Sequence, residues 1–301
     1  MYRDLLRKAA WVTAVVLSLA YVSCSRQSAE SKQPVVEQQN TDAAKAPVGT
    51  TGSVAGTSSD PAAPATASST TTSSDTATER DPGAIKALEN MSAYLRTLKA
   101  IQVHVVTSRD EVLEDGQNVT FSGTVDMIAE RPNRLRVEVI TDKQHRMYFD
   151  DGKTFSVWAR RANYYATIPA PPTLRALSDT LTDRYNLELP VADLFYWGEG
   201  KSTAGIVGAS DLGASQVDGT TCAHYAFRQE GADWQLWIQQ GDYPLPRKLV
   251  ITTTTDPARP RFSSVITWNL APSYNDAAFT FDPPKDAKKI AMAEAPRGHS
   301  K

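Results

Sequence analysis

The sequence predicts a mainly β fold of the α+β kind: a half-open antiparallel β-barrel of about ten strands, led by an amphipathic helix and covered on its concave side by short helices. Three observations carry this. Apolar residues recur at helical spacing between residues 85 and 98, then switch to a period of two from residue 101 onward. Short turn-forming connections separate successive alternating runs, so neighbouring strands are antiparallel. A sheet of that many strands curls, and the leading helix needs an apolar surface to cover.

The elements follow in order. Asp81 can cap a helix and Pro82 fits its first turn. Ile85, Leu88, Met91, Leu95 and Leu98 then form one apolar helical face. Ile101, Val103 and Val105 alternate with Gln102 and His104, and Phe121, Val125 and Met127 alternate with Thr120, Thr124 and Asp126. Leu135, Val137 and Val139 oppose Arg134, Arg136 and Glu138 in the same way. Asp151-Gly152 is a turn signal ahead of Phe155 and Val157, and residues 164–168 supply another strand. After Pro169 the pattern breaks, with short helices expected around 174–181 and 191–197 within a mixed stretch reaching residue 213. Strands resume at 221–228, 234–239, 249–255, 262–270 and 279–281.

Ahead of this domain, at residues 81–290, the chain reads as an export apparatus. Arg3, Arg7 and Lys8 precede an apolar run that ends at Ser23-Cys24, the order of a signal peptide over residues 1–24. The run has about 14 residues against the roughly 20 that a spanning helix needs, so a cleaved signal is favoured over an uncleaved anchor. Cys24 stands where a lipoprotein signal places its lipidated cysteine, although Tyr21 occupies a position where Leu is usual. Cleavage near Cys24 without lipidation would leave a soluble periplasmic product. If the cysteine is lipidated, Ser25 resembles the residue that permits sorting to the outer membrane. Residues 25–80 contain no Phe, Trp, Tyr, Leu, Ile or Met and are rich in Ser, Thr, Ala and Pro. Such a stretch cannot bury enough apolar surface to order itself, and as a coil it separates its ends by roughly 40 Å. It is expected to be a disordered tether, and residues 291–301 a flexible tail. Every variant places the domain in the cell envelope.

Composition narrows the function. The formal charge is −2, and removing Arg3, Asp4, Arg7 and Lys8 leaves about −4, which argues against nucleic acid as a partner. Without Cys24 the domain retains Cys222 as its sole cysteine, so no internal disulfide can staple it.

Three segments in order, Arg131-Pro132-Asn133, Asp151-Gly152-Lys153-Thr154 and Phe279-Thr280-Phe281 followed by Pro283-Pro284, resemble the periplasmic lipoprotein-localisation carriers of the LolA/LolB type. The resemblance covers about residues 82–290. It implies a half-open barrel, closed by helices, with a hydrophobic cavity for acyl chains. It also implies a role for Arg131, which matches an arginine that bonds to lid elements and helps gate that cavity. A solvated or carboxylate-paired arginine at a strand start is the plainer alternative. Residues 173–213 do not match the carrier's lid.

A second block is more specific: Cys222 and His224, then Asp233-Trp234-Gln235-Leu236-Trp237-Ile238, then Leu245-Pro246-Arg247-Lys248. It resembles an uncharacterised family of predicted periplasmic proteins, domain of unknown function 2092. That family brings no activity to transfer.

Candidate chemistry is sparse. Cys222 and His224 lie two apart on a strand and share a face, as thiol activation or a pair of metal ligands would require. Neither constellation is complete, and a buried thiol beside a hydrogen-bonded imidazole accounts for the spacing. Trp237 shares a face with Asp233 and Gln235, while Trp234 shares the other with Leu236 and Ile238. The tryptophans could wall a lipid or glycan site, or pack across strands. Asp150 and Asp151 are adjacent and face opposite ways, which suits a turn better than acid and base work.

No phosphate loop, nucleophile elbow or zinc-protease helix is present, and no cofactor is implied. The expectation is therefore a non-enzymatic envelope protein. It would hold a lipid or other hydrophobic molecule, with Arg131, Trp234 and Trp237 as ligand-binding or gating residues and membrane contact through Cys24 or an N-terminal anchor. Its rival is a tethered interaction or sensor module with a self-filled barrel and an envelope protein as partner. An enzyme using Cys222 and His224 is the third reading.

Overall fold

The structure, a computed structural model, describes residues 79–198, 203 and 205–295. The signal segment, Cys24, the tether up to residue 78 and the last residues of the tail lie outside the described residues.

Helix α1 (Pro82–Thr97) starts as the sequence requires: the Asp81 carboxylate accepts hydrogen bonds from the backbone N–H groups of Gly83 and Ala84. Its buried face carries Ala84, Leu88, Met91 and Leu95, flanked by the partly buried Ile85 and Leu98. Six strands follow as a meander: β1 (Ala100–Val112), β2 (Asn118–Glu130), β3 (Arg134–Thr141), β4 (His145–Asp151), β5 (Thr154–Ala159) and β6 (Tyr164–Pro169). Helices α2 (Leu174–Tyr185) and α3 (Asp193–Trp197) come next. A second meander comprises β7 (Ile206–Val217), β8 (Thr220–Gln229), β9 (Ala232–Gln239), β10 (Pro246–Thr253) and β11 (Arg261–Asn269). A 3-10 turn (Asp276–Phe279) and the two-residue β12 (Lys288–Lys289) close the chain.

All twelve strands form one curved sheet in the order β12-β6-β5-β4-β3-β2-β1-β11-β10-β9-β8-β7. Every pairing is antiparallel except β12 on β6. The sheet is not closed into a barrel: β7 ends one side and the short β12 shields the other. The two meanders are joined by β1 and β11, where Val105 stands opposite Ile266.

Helices α2 and α3 cover the inner face of the sheet as a lid, and the topology explains their place. Strands β6 and β7 lie toward opposite ends of the sheet, so the chain between them must travel across its concave face, and α2 and α3 lie on that route. One hydrophobic core results, formed by the inner face of the strands against α1, α2 and α3.

The strand expectations need three additions and one correction. Strand β4 carries apolar side chains on both faces, Met147 and Phe149 outward and Tyr148 inward, so no alternation marks it. Strand β7 is rich in small residues and broken by register shifts, and β12 is too short to carry a pattern. Residues 279–281 are not a strand. Phe279 ends the 3-10 turn, fully buried beneath the Arg134 guanidinium, which sits 4.5 Å from its ring centroid. Phe281 lies among Phe149, Trp158 and Tyr165, with ring centroids at 5.2, 6.0 and 5.3 Å.

The segment after β11 therefore works as a belt. It is fastened by Tyr274 to Glu130 and Arg134 to Asp276, plugs the outer face of β4 to β6 with Phe281, and passes the sheet edge at β12. It ends on the inner side, where Met292 packs on the core, Glu294 pairs with Arg184, and the Ala295 N–H donates to the Arg184 carbonyl.

Candidate functional site

The candidate site is the concave face and its lid. Helix α2 is anchored at its start by Thr173, whose hydroxyl accepts from the Ala176 N–H, and by the Leu174 N–H donating to the Pro132 carbonyl. It ends at Asn186, whose left-handed backbone turns the chain toward α3. The helices are tied together by polar contacts. The Tyr196 hydroxyl donates to Asp179 at 2.9 Å and lies 3.1 Å from the Ser178 hydroxyl, while Arg175 pairs with Asp179 and stacks over the Tyr196 ring.

Helix α3 has five residues, all buried, with Leu194, Phe195 and Trp197 each at most 1% exposed. A helix this short has little stability of its own, so its contacts with the sheet hold it. Beneath it a void of about 10 Å³ remains, lined by Leu194 and Trp197 from the lid and by Leu249, Phe262 and Ile266 from the sheet. The cleft is thus filled by the lid's own side chains. It is not fully satisfied, however: the indole N–H groups of Trp197 and Trp234 are both buried without a hydrogen-bond partner. Each such orphan costs about 1–3 kcal/mol.

Arg131 lies between the end of α1 and the end of α3. Its Nε donates to the Leu98 carbonyl at the end of α1, at 3.2 Å. Its Nη2 lies so near Gly198, at the C-terminal end of α3, that a Cβ there would approach it to 2.6 Å. A cation in this position also opposes the negative end of a helix.

Trp234 and Trp237 take opposite sides of β9. Trp234 lies in the concave core, stacked on Phe227 at 4.2 Å. Trp237 lies on the outer face, stacked on His224 at 3.9 Å, with its N–H donated to Ser215 and the Lys248 ammonium over its ring. The structure places Trp234 in the concave core and Trp237 on the outer face.

Cys222 and His224 share the outer face, as their spacing requires. Cys222 is fully buried in a small cluster with Val217, Trp237 and Val250, and burial pushes its thiol up. Burial also lowers the His224 imidazole, which bonds to Gln235. Both shifts favour the neutral forms, the opposite of an activated thiolate pair. Among the described residues no group of three His, Cys, Asp or Glu side chains could hold a metal.

Asp150, expected only as part of a turn, is more than that. It is fully buried, with one carboxylate oxygen accepting from the Gly152 N–H and the other without a partner. Burial pushes the carboxyl up to about 6. Its neighbour Asp151 makes the expected turn, accepting from the N–H groups of Lys153 and Thr154 around Gly152 at φ +87°.

Residues 84–293 match a family model described as "Predicted periplasmic protein (DUF2092)". The chain belongs to that family. Membership puts the folded domain in the periplasmic compartment of the cell envelope. No curated protein matches the chain. Among solved structures it is similar to the lipoprotein LppX of Mycobacterium tuberculosis, at 13% identity and a TM-score of 0.39, over 64% of this chain and 99% of that one. It is also similar to LprF from Mycobacterium bovis, at 12% identity and a TM-score of 0.38, over 69% and 99%. A LolA superfamily protein from Nitrosomonas europaea matches at 10% identity and a TM-score of 0.30, over 65% and 97%. No helix among the described residues is long and apolar enough to cross a membrane.

Proposed function

We propose that this family member is a non-enzymatic envelope protein that holds a hydrophobic ligand, such as an acyl chain, between the concave face of its sheet and a displaceable lid of α2 and α3. The observation that carries the reading is the composition of the filled cleft. A five-residue helix supplies Leu194, Phe195 and Trp197 to an apolar sheet surface, in the place that a ligand's hydrocarbon would take.

The closed state has built-in reasons to yield. Two buried indole N–H groups lack acceptors, and Tyr196 of α3 is hydrogen-bonded to Ser178 and Asp179 of α2, which couples the two helices as a unit. Arg131 is the proposed latch, linking the end of α1 to the end of α3. Trp234 is the proposed wall residue under the lid. Trp237 serves the outer face. Cys24 is the proposed lipid-bearing residue that tethers the domain to a membrane.

Uptake of a fluorescent fatty acid by the full chain tests the reading. Saturable binding is expected, and Trp197→Ala, which removes a large side chain from beneath the lid, increases it. Absence of uptake by both proteins overturns the proposal.

One observation favours the rival interaction module: the void under α3 is only about 10 Å³. That reading requires a lid that never leaves the sheet and a protein partner captured by crosslinking in intact cells.

A further inference from the structure

The face of the sheet opposite the lid carries a feature that acyl-chain binding leaves unused. Side chains two apart on a strand share a face, and the strand register aligns them across neighbours. On the outer face, Asn269, Gln102, Ile128 and Arg136 stand side by side across β11, β1, β2 and β3. The adjoining row is Thr267, His104, Asp126 and Glu138. Together these eight side chains line a hollow of about 360 Å³.

Its chemistry is mixed and preorganised. The His104 Nδ1 lies 2.7 Å from an Asp126 carboxylate oxygen, and Glu138 is held by His145 at 2.7 Å and by Arg160. The Asn269 amide donates to the Gln102 side-chain oxygen at 2.7 Å. The Arg136 guanidinium makes no ion pair among the described residues and lies 6.0 Å from the Phe149 ring centroid. Carboxylates thus offer acceptors, the guanidinium and amides offer donors, and Ile128 supplies an apolar patch among them.

We propose that this hollow is a second binding site, specific for a neutral sugar unit of a glycan. A single charge is disfavoured: an anion would meet Asp126 and Glu138, and a cation would meet Arg136. An uncharged polyol uses donors and acceptors together and lays its C–H face on Ile128. The volume lies at the small end of ligand pockets, about 300–1,000 Å³, which suits one or two sugar rings. The site is independent of the lid, so its failure and that of the lipid reading are separable.

The test is isothermal titration of the full chain with N,N′-diacetylchitobiose, with cationic deacetylated chitobiose and an anionic hyaluronan disaccharide as charged counterparts. Saturable binding of the neutral sugar alone is expected. Arg136→Gln and Asn269→Ala should each weaken it about 10-fold, the loss of roughly one good hydrogen bond to a charged or desolvated group. Asn269 is exposed at a strand end, so its variant keeps the fold, and fatty-acid uptake should be unchanged in it. No neutral-sugar binding, equal or better binding of a charged disaccharide, or wild-type affinity in both variants overturns the proposal.

Discussion

The Arg131 guanidinium and Gly198 meet at the junction of the first strand hairpins and the lid, in a space that admits no additional carbon: a Cβ at Gly198 would stand 2.6 Å from Nη2. Gly198 has a right-handed backbone at φ −65°, so alanine is not strained there by conformation. Only the far end of a flexible side chain must give way. Gly198→Ala therefore displaces Arg131 from the lid while costing less than about 1 kcal/mol of stability. Hydrogen exchange of the α3 amides should become faster with a nearly unchanged melting temperature. Unchanged exchange would mean that Arg131 does not hold the lid.

Asp150 makes stability depend on pH. Its carboxyl rises from 3.8 to about 6 because burial disfavours the charged form. Above pH 6 the folded state must hold a buried charge. As pH falls through 6 toward 4 it takes up a proton that the unfolded chain does not yet bind, so this site's contribution to stability rises across that window. The full difference is on the order of 3 kcal/mol. Asp150→Asn should stabilise the protein by about 1–3 kcal/mol at pH 8, with the gain gone by about pH 4. Urea melts across the range measure this, and a pH-independent difference refutes it.

The thiol of Cys222 should be inert. It is fully buried, and burial raises it above the ordinary thiol range. Reaction with iodoacetamide at pH 8 should be at least about 100-fold slower in the native protein than in denaturant, since the thiolate needs both exposure and ionisation. Rapid native labelling would revive the thiol-enzyme reading.

The belt contributes to stability from outside the main core. Phe281 packs on Phe149, Trp158 and Tyr165, and is only partly buried. Phe281→Ala should cost about 2–3 kcal/mol, below the 3–5 of a fully enclosed phenylalanine. Chemical denaturation checks the value, and a loss under about 0.5 kcal/mol, within the range of an ordinary surface substitution, would show that the belt is only resting on the sheet.

Legibility followed burial geometry. Strands with one buried face, such as β1 with Ile101, Val103 and Val105, announce themselves by alternation, and Asp81-Pro82 marks the first helix through capping chemistry. Strand β4 is covered on both sides, by the core within and Phe281 without, and so loses its period. Phe279 and Phe281 alternate like a strand because both are plugs, which alternation alone does not separate from pairing. Among the candidate residues, resemblance singles out Arg131, and parity gives the facing of each tryptophan. The outer hollow depends on register between β11 and β1, whose partners are some 160 residues apart in the chain. Local pattern carries no trace of that distance.

The central claim is that the lid yields its place to hydrocarbon. Native mass spectrometry of the full chain, gently purified from the cells that make it, addresses it most directly. The account predicts a bound lipid, retained by the wild type and released by Gly198→Ala, whose lid is loosened. A protein that carries no lipid, and takes none up when offered fatty acid, would contradict it.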